Sequence, residues 1–174
     1  MAEVIFERAM RDGALGYQVE APKARKVAII VSKGTLDMVY PGLILANAAR
    51  MSGMDVMVFF TFWGLDCITD KEVDHLHVPT VGNPSMHLPT MVGGLPGMEA
   101  LASHKMKQGM DKLQIPRARE FLQLLDDSGV ELYACGLAMD MFNRKKDELL
   151  PQVKGVLTAT EFFEKAEGAQ VIFT

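Results

Sequence analysis

The hydrophobic residues of this chain recur in short continuous runs separated by segments of mixed polarity. The strongest runs lie at residues 27–31 (VAIIV), 56–60 (VMVFF) and 130–135 (VELYAC). Runs that are apolar at almost every position are typical of strands buried on both faces of a parallel sheet. Two further runs, at residues 155–159 and 170–174, predict a fourth strand and a closing strand.

Between these runs the apolar positions take the spacing of helices, and residues typical of helix ends flank them. The predicted helices cover residues 41–51, 98–113, 115–129, 138–150 and 158–169. Pro41 suits the first turn of the first helix, and Gly53 is placed to end that helix in a left-handed conformation. Thr158 or Thr160 is placed to cap the last helix.

Strands that alternate with helices predict an α/β fold, with a mainly parallel sheet of about five strands covered on both faces. Ligands of such sheets bind beyond the carboxyl ends of the strands. Two polar segments are expected there, residues 32–37 (SKGTLD) after the first strand and residues 135–140 (CGLAMD) after the third. If the first and third strands are neighbours, these two segments face each other across one crevice.

Composition narrows the class of protein. Hydrophobic residues make up 49% and charged residues 23%, and the net charge of −4 gives no general attraction to nucleic acid or to an anionic membrane. No apolar run approaches the ~20 residues that span a bilayer, and the first residues carry charges where a signal peptide is apolar. We therefore expect a cytoplasmic protein, with an N-terminal extension at residues 1–25 and a single domain at residues 26–174.

The two cysteines are too few for a disulfide framework or an all-cysteine zinc site. Cys135 lies between a predicted strand and a predicted helix, so helix N–H groups and Lys33 from the other loop would favour its thiolate. Such a thiolate could carry sulfur, but a free cysteine is also a common small core residue. Cys67, which follows the second strand, is either a second thiol that pairs with Cys135 or an incidental buried residue.

The remaining candidates give weaker signals. The SKGT segment lacks the spacing of a phosphate-binding loop, so Thr35 is as well explained as a helix cap in a tight turn. His75 and His77 have no third ligand at a defined spacing, which favours solvated loop histidines over a metal site. Methionines are frequent in the irregular segment at residues 84–110, where they favour packing or a subunit contact over copper binding.

With these residues in view, the chain resembles the DsrE/DsrF/DsrH-like family, specifically its soluble DsrE-type sulfur carriers. The resemblance covers roughly residues 26–174 and is carried by three stretches: SKGTLDMVYPGLILANAARMSGMDVMVFFTFWGL, VGNPSMHLPTMVGGLPGMEA and LYACGLAMDMF. It implies a flavodoxin-like three-layer α/β/α fold and sulfur transfer through a cysteine persulfide. The family cysteine corresponds to Cys135, whereas Cys67 corresponds to a less regular position.

The resemblance also implies homo-oligomers, often trimers or hexamers, that work with a TusA-like carrier or a rhodanese-like protein. We expect Cys135 to receive the sulfur as a persulfide or a thiosulfonate group and to pass it to a thiol of another protein. The crevice around it would be formed by Ser32, Lys33, Gly34, Thr35, Gly136, Met139 and Asp140. Exchange at sulfur requires no metal or other cofactor. Two alternatives remain open from the residues: a non-catalytic binding or assembly protein, and a thiol-redox protein that uses both cysteines.

Overall fold

The structure, a computed structural model, describes residues 25–79 and 97–174. Five strands form a sheet in the order β4-β3-β2-β1-β5, and every neighbouring pair is parallel. The strands are β1 (Lys26–Val31), β2 (Asp55–Phe60), β3 (Glu131–Cys135), β4 (Val153–Leu157) and β5 (Ala169–Phe173). The predicted α/β class and parallel sheet are confirmed.

The predicted adjacency of the first and third strands is wrong, because β2 lies between them. The chain adds β2, β3 and β4 successively on one side of β1 and then places β5 on its other side. Residues 32–37 and 135–140 therefore lie at the same edge of the sheet but two strands apart. Two strand spacings correspond to roughly 10 Å.

Five α-helices connect the strands in the described residues: α1 (Leu36–Met51), α2 (Met98–Lys112), α3 (Ala118–Asp127), α4 (Gly136–Met141) and α5 (Ala159–Lys165). Three short 3-10 segments accompany them, at Phe62–Ile68, Val73–His75 and Lys146–Glu148. Residues 1–24 of the predicted N-terminal extension and residues 84–96 of the methionine-rich segment lie outside the described ranges.

Helices cover both faces of the sheet. On one face α1 packs so closely that a Cβ atom on Gly42 would lie 2.9 Å from the Cγ2 atom of Val31. On the opposite face, Phe162 of α5 stacks on Phe59 of β2 with ring centroids 4.8 Å apart. Phe59 is the register partner of Ile30, whose side chain alternates with that of Val31, so the two contacts belong to opposite faces.

Two helix predictions need correction. The helix predicted at residues 138–150 is the six-residue α4, which ends at Met141. Asn143 then takes a left-handed conformation (φ 51°) and the N–H of Arg144 donates to the carbonyl of Met139, an arrangement that ends a helix. Pro41 lies inside α1 rather than in its first turn, because α1 already begins at Leu36.

The predicted helix ends at Gly53 and Thr158 are confirmed. Gly53 has a φ of 74°, and its N–H donates to the carbonyl of Arg50. Thr158 Oγ1 accepts the N–H of Glu161 at 3.2 Å, and the Glu161 carboxylate accepts the N–H of Thr158 at 2.7 Å. This reciprocal pair fixes the start of α5 directly after β4.

Candidate functional site

Cys135 is the last residue of β3 and stands at the carboxyl edge of the sheet. Its side chain is 8% exposed, its register partner is Leu157 of β4, and it shares a face of β3 with Tyr133. The ring of Tyr133 lies under Lys165, whose Nζ is 5.1 Å from the ring centroid. Cys135 is therefore a largely buried residue at the carboxyl ends of the strands, where ligands of parallel sheets bind.

The helix that follows Cys135 is short and partly apolar on its outer side. Gly136 is its first residue, Met139 is buried, and Asp140 is exposed. Leu137 and Met141 are four residues apart on one side of α4, and both are exposed. A helix of six residues sums fewer peptide dipoles than the thirteen-residue segment predicted from the sequence, so its effect on the sulfur is correspondingly smaller.

Cys67 lies in a different environment. It is fully buried within the 3-10 segment Phe62–Ile68, and both cysteines are free thiols. Burial raises the pKa of the Cys67 thiol, and the neighbouring charge of Asp66 raises this pKa further. Since the thiolate is the reactive form, Cys67 is held in its unreactive state at neutral pH.

The polar loop after β1 opens a cleft of about 680 Å³ that we call the β1–α1 cleft. Lys33, Gly34 and Thr35 line it, whereas Cys135 does not. The remaining lining residues come from α1, from the two 3-10 segments after β2 and the residues that follow them, and from α2: Asp37, Met38, Trp63, Asp66, Glu72, His75, Leu76, His77, Val78, Pro79 and Glu99.

The other loop residues fix the shape of this cleft. Ser32 is tied to β5, since its N–H and its Oγ each donate to the carbonyl of Thr174 at 2.9 Å. A Cβ atom on Gly34 would lie 2.5 Å from the backbone oxygen of Trp63, so the loop and the 3-10 segment touch without room for a side chain. Thr35 precedes α1 in an extended conformation, but its Oγ1 is buried and has no hydrogen-bond partner within the described ranges.

An ion pair connects the cleft to the segment that follows Cys135. Asp66 lines the cleft, and its carboxylate pairs with the guanidinium of Arg144, three residues beyond the end of α4. Both side chains are partly buried. Burial raises the pKa of Asp66, the charge of Arg144 lowers it, and that of Glu72 raises it. This pair could not be predicted from the sequence, because its members are separated by 78 residues and neither belongs to a recognisable motif.

The structure also bears on the metal hypothesis. His75 and His77 are both exposed, and Nδ1 of His77 is 3.9 Å from Oε1 of Glu99. Among residues 25–79 and 97–174, no group of three or more His, Cys, Asp or Glu side chains is arranged to hold a metal ion. Across the same residues, no helix is both long enough and apolar enough to cross a membrane.

This arrangement defines an α/β protein with a free, largely buried cysteine at the carboxyl ends of a parallel sheet. The chain belongs to the DsrE/DsrF/DrsH-like family, whose model matches residues 23–173. It is 37% identical over 150 residues to the sulfur carrier protein DsrE2 of Allochromatium vinosum, an alignment that covers 82% of this chain and 92% of that protein. It is 23% identical to the uncharacterized protein YrkE of Bacillus subtilis, covering 87% of this chain and 98% of YrkE.

Two solved structures share the fold. The ychN protein from E. coli superposes with a TM-score of 0.54 at 16% identity, covering 86% of this chain and 99% of that chain. A protein of unknown function from Methanobacterium thermoautotrophicum, MTH1491, superposes with a TM-score of 0.50 at 14% identity and the same coverage. At these identities the similarity shows the fold alone.

Proposed function

We propose that this protein is a sulfur carrier that takes a sulfane sulfur on Cys135 and passes it to a thiol of a partner protein. The observation that carries the proposal is the contrast between the two thiols. Cys135 ends β3 at the sheet edge with 8% of its surface exposed, whereas Cys67 is wholly buried. The relative named a sulfur carrier protein, at 37% identity over most of both chains, supports the same role.

The transfer is an exchange at sulfur. The Cys135 thiolate attacks the outer sulfur of a donor persulfide, a new S–S bond forms on Cys135, and the donor leaves as a thiolate. In the second step a partner thiolate attacks the outer sulfur of the Cys135 persulfide, and Cys135 leaves as the thiolate it was at the start. Electrons balance in each step because one S–S bond forms as another breaks.

The proposed partners, compartment and oligomeric state rest on the resemblance to the family. The partner would be a TusA-like carrier or a rhodanese-like protein, and the chain would act in the cytoplasm as a homo-oligomer, a trimer or a hexamer. The exposed Leu137 and Met141 beside Cys135 support a protein partner, since apolar side chains around a reactive thiol are suited to contact with another protein surface.

Intact mass spectrometry tests the proposal. The wild type, Cys135→Ser and Cys67→Ser are each incubated briefly with inorganic polysulfide, and the adduct is then treated with dithiothreitol. A reversible gain of sulfur in the wild type and in Cys67→Ser, absent from Cys135→Ser, is the expected result. An adduct that persists in Cys135→Ser would overturn the assignment.

The same samples distinguish the redox alternative. A disulfide between Cys67 and Cys135 would appear as the loss of two hydrogens and of both free thiols in the wild type. Either single variant would prevent it. We expect two free thiols in the untreated wild type, in line with the complete burial of Cys67.

A further inference from the structure

We propose that the β1–α1 cleft is a docking groove for a lysine- or arginine-bearing segment of the protein that exchanges sulfur with Cys135. The inference deepens the proposed function and rests on it for the identity of the partner. The evidence for the groove itself is the shape, the charge and the aromatic side chain of the cleft.

The cleft carries an excess of negative charge. Asp37, Glu72 and Glu99 line it together with Asp66, whose charge is already paired with Arg144, and Lys33 is the one fixed positive charge of the described lining. Asp37 and Glu72 are exposed and form no ion pair with any described residue. Carboxylates gathered in a concave surface focus a negative potential, which attracts cationic groups and repels the anionic sulfur compounds expected of a donor.

The apolar part of the cleft fits the same ligand. Trp63 is 65% exposed although it lines the cleft beside Asp66. Tryptophan is the best aromatic partner for a lysine or arginine head group, and Met38 and Leu76 offer contact to the aliphatic stem of such a side chain.

The position of the cleft explains why its occupant would be the sulfur partner. The carboxyl ends of β1 and β3 are two strand spacings, or roughly 10 Å, apart. The side chain of Cys135 lies on the face of the sheet that α5 covers, whereas α1, whose first turn lines the cleft, packs on the opposite face. An extended segment covers that distance with about three residues. Because the segment also has to pass from one face of the sheet to the other, a partner that occupies both places needs more than three residues between its basic side chain and its reactive cysteine.

The test uses Trp63 as its reporter, because it is the chain's one tryptophan and it lines the cleft. A lysine- and arginine-containing peptide with serine in place of cysteine is titrated into the full chain while Trp63 fluorescence is recorded. We expect a saturable change that weakens at high salt. In Asp37→Asn/Glu72→Gln the dissociation constant should rise by about five- to tenfold, since two exposed ion pairs are lost.

The control variant Glu164→Gln/Glu167→Gln removes two exposed carboxylates from the end of α5 and the turn after it, and should leave the dissociation constant unchanged. A fluorescence change of equal affinity in both double variants would overturn the groove, as would the absence of any saturable change. Equal binding of free butylamine would show a site for small amines, and a change with protein concentration alone would show a second copy; either result would also overturn it.

Repeating the titration with Cys135→Ser separates the two proposals. Peptide binding that survives this substitution, combined with no sulfur adduct on the wild type, would refute the carrier function and support the groove. A sulfur adduct on Cys135 without peptide binding would refute the groove and support the carrier function.

Discussion

Arg144 and Asp66 form an ion pair that joins the segment after Cys135 to the wall of the β1–α1 cleft. The N–H of Arg144 also donates to the carbonyl of Met139 at the end of α4. One residue thus ends the helix that follows the thiol and holds the 3-10 segment Phe62–Ile68 beside it. A substitution at either residue of the pair is therefore expected to alter the structure around the other residue.

Arg144→Gln tests this pair. We expect the free energy of unfolding to fall by about 1 kcal/mol, a value typical of a partly exposed pair, and the pKa of Asp66 to rise because the charge that lowers it is gone. Urea unfolding of Arg144→Gln, Asp66→Asn and the double variant gives the coupling energy. Additive effects of the two single variants would contradict a direct interaction.

Cys67 is expected to resist modification while the protein is folded. Because burial raises its thiol pKa, iodoacetamide at neutral pH should label Cys135 alone, and Cys67 should react only as the protein unfolds. Peptide mapping after timed labelling, with and without urea, measures this. Cys67→Ala provides the control, since it should give the same single label. Rapid labelling of Cys67 in the native protein would disprove its assignment as an inert core residue.

Tyr40 should make stability depend on alkaline pH. Its hydroxyl donates to the carbonyl of Pro116 at 3.0 Å, and burial raises its pKa from 10.0 to about 12. Since the folded state holds this proton more tightly, the contribution is complete below pH 10 and is lost as the pH rises from 10 to 12.

Tyr40→Phe should lower stability by about 1 kcal/mol at neutral pH through the lost hydrogen bond. The deficit relative to the wild type should shrink above pH 10, where the wild type loses the contribution of Tyr40. Urea unfolding of both proteins at several pH values measures this difference. A deficit that stays constant up to pH 12 would show that Tyr40 does not titrate as proposed.

Gly34→Ala should distort the β1–α1 cleft, because the new Cβ atom would meet the backbone oxygen of Trp63 at 2.5 Å. We expect a loss of about 1–3 kcal/mol and a shifted Trp63 emission spectrum. Gly109→Ala in α2 is the matched control: outside the backbone of α2 itself, no atom of the described residues lies within 4 Å of the added Cβ, and alanine is the better helix former. Similar behaviour of the two variants would contradict the close contact at Gly34.

Local patterns predicted the strands and most helices, because the buried parallel strands of this sheet are apolar runs whose character does not depend on their neighbours. Strand order depends instead on which edge of the sheet each new strand joins, and the return of β5 to the far side of β1 leaves no local trace. The prediction of a crevice between residues 32–37 and 135–140 was wrong for that reason.

The early end of α4 could have been predicted in part. Asn143 is a residue type that tolerates the left-handed conformation and frequently follows a helix. The pairing of Arg144 with Asp66 could not have been predicted, since it depends on how β2 and β3 lie side by side. The β1–α1 cleft was missed for the same reason, because Trp63, Asp66 and Glu72 reach it from the residues that follow β2.

The pairing of β1 with β5 has a consequence for synthesis of the chain. β2 follows β1 within about thirty residues, but Ile30 meets its partner Phe173 only after the other strands have been made. A chain emerging from the ribosome can therefore assemble β1 to β4 while one edge of β1 stays open. Such an edge can pair with another nascent chain, so we expect translation that stalls before residue 169 to yield aggregation-prone products.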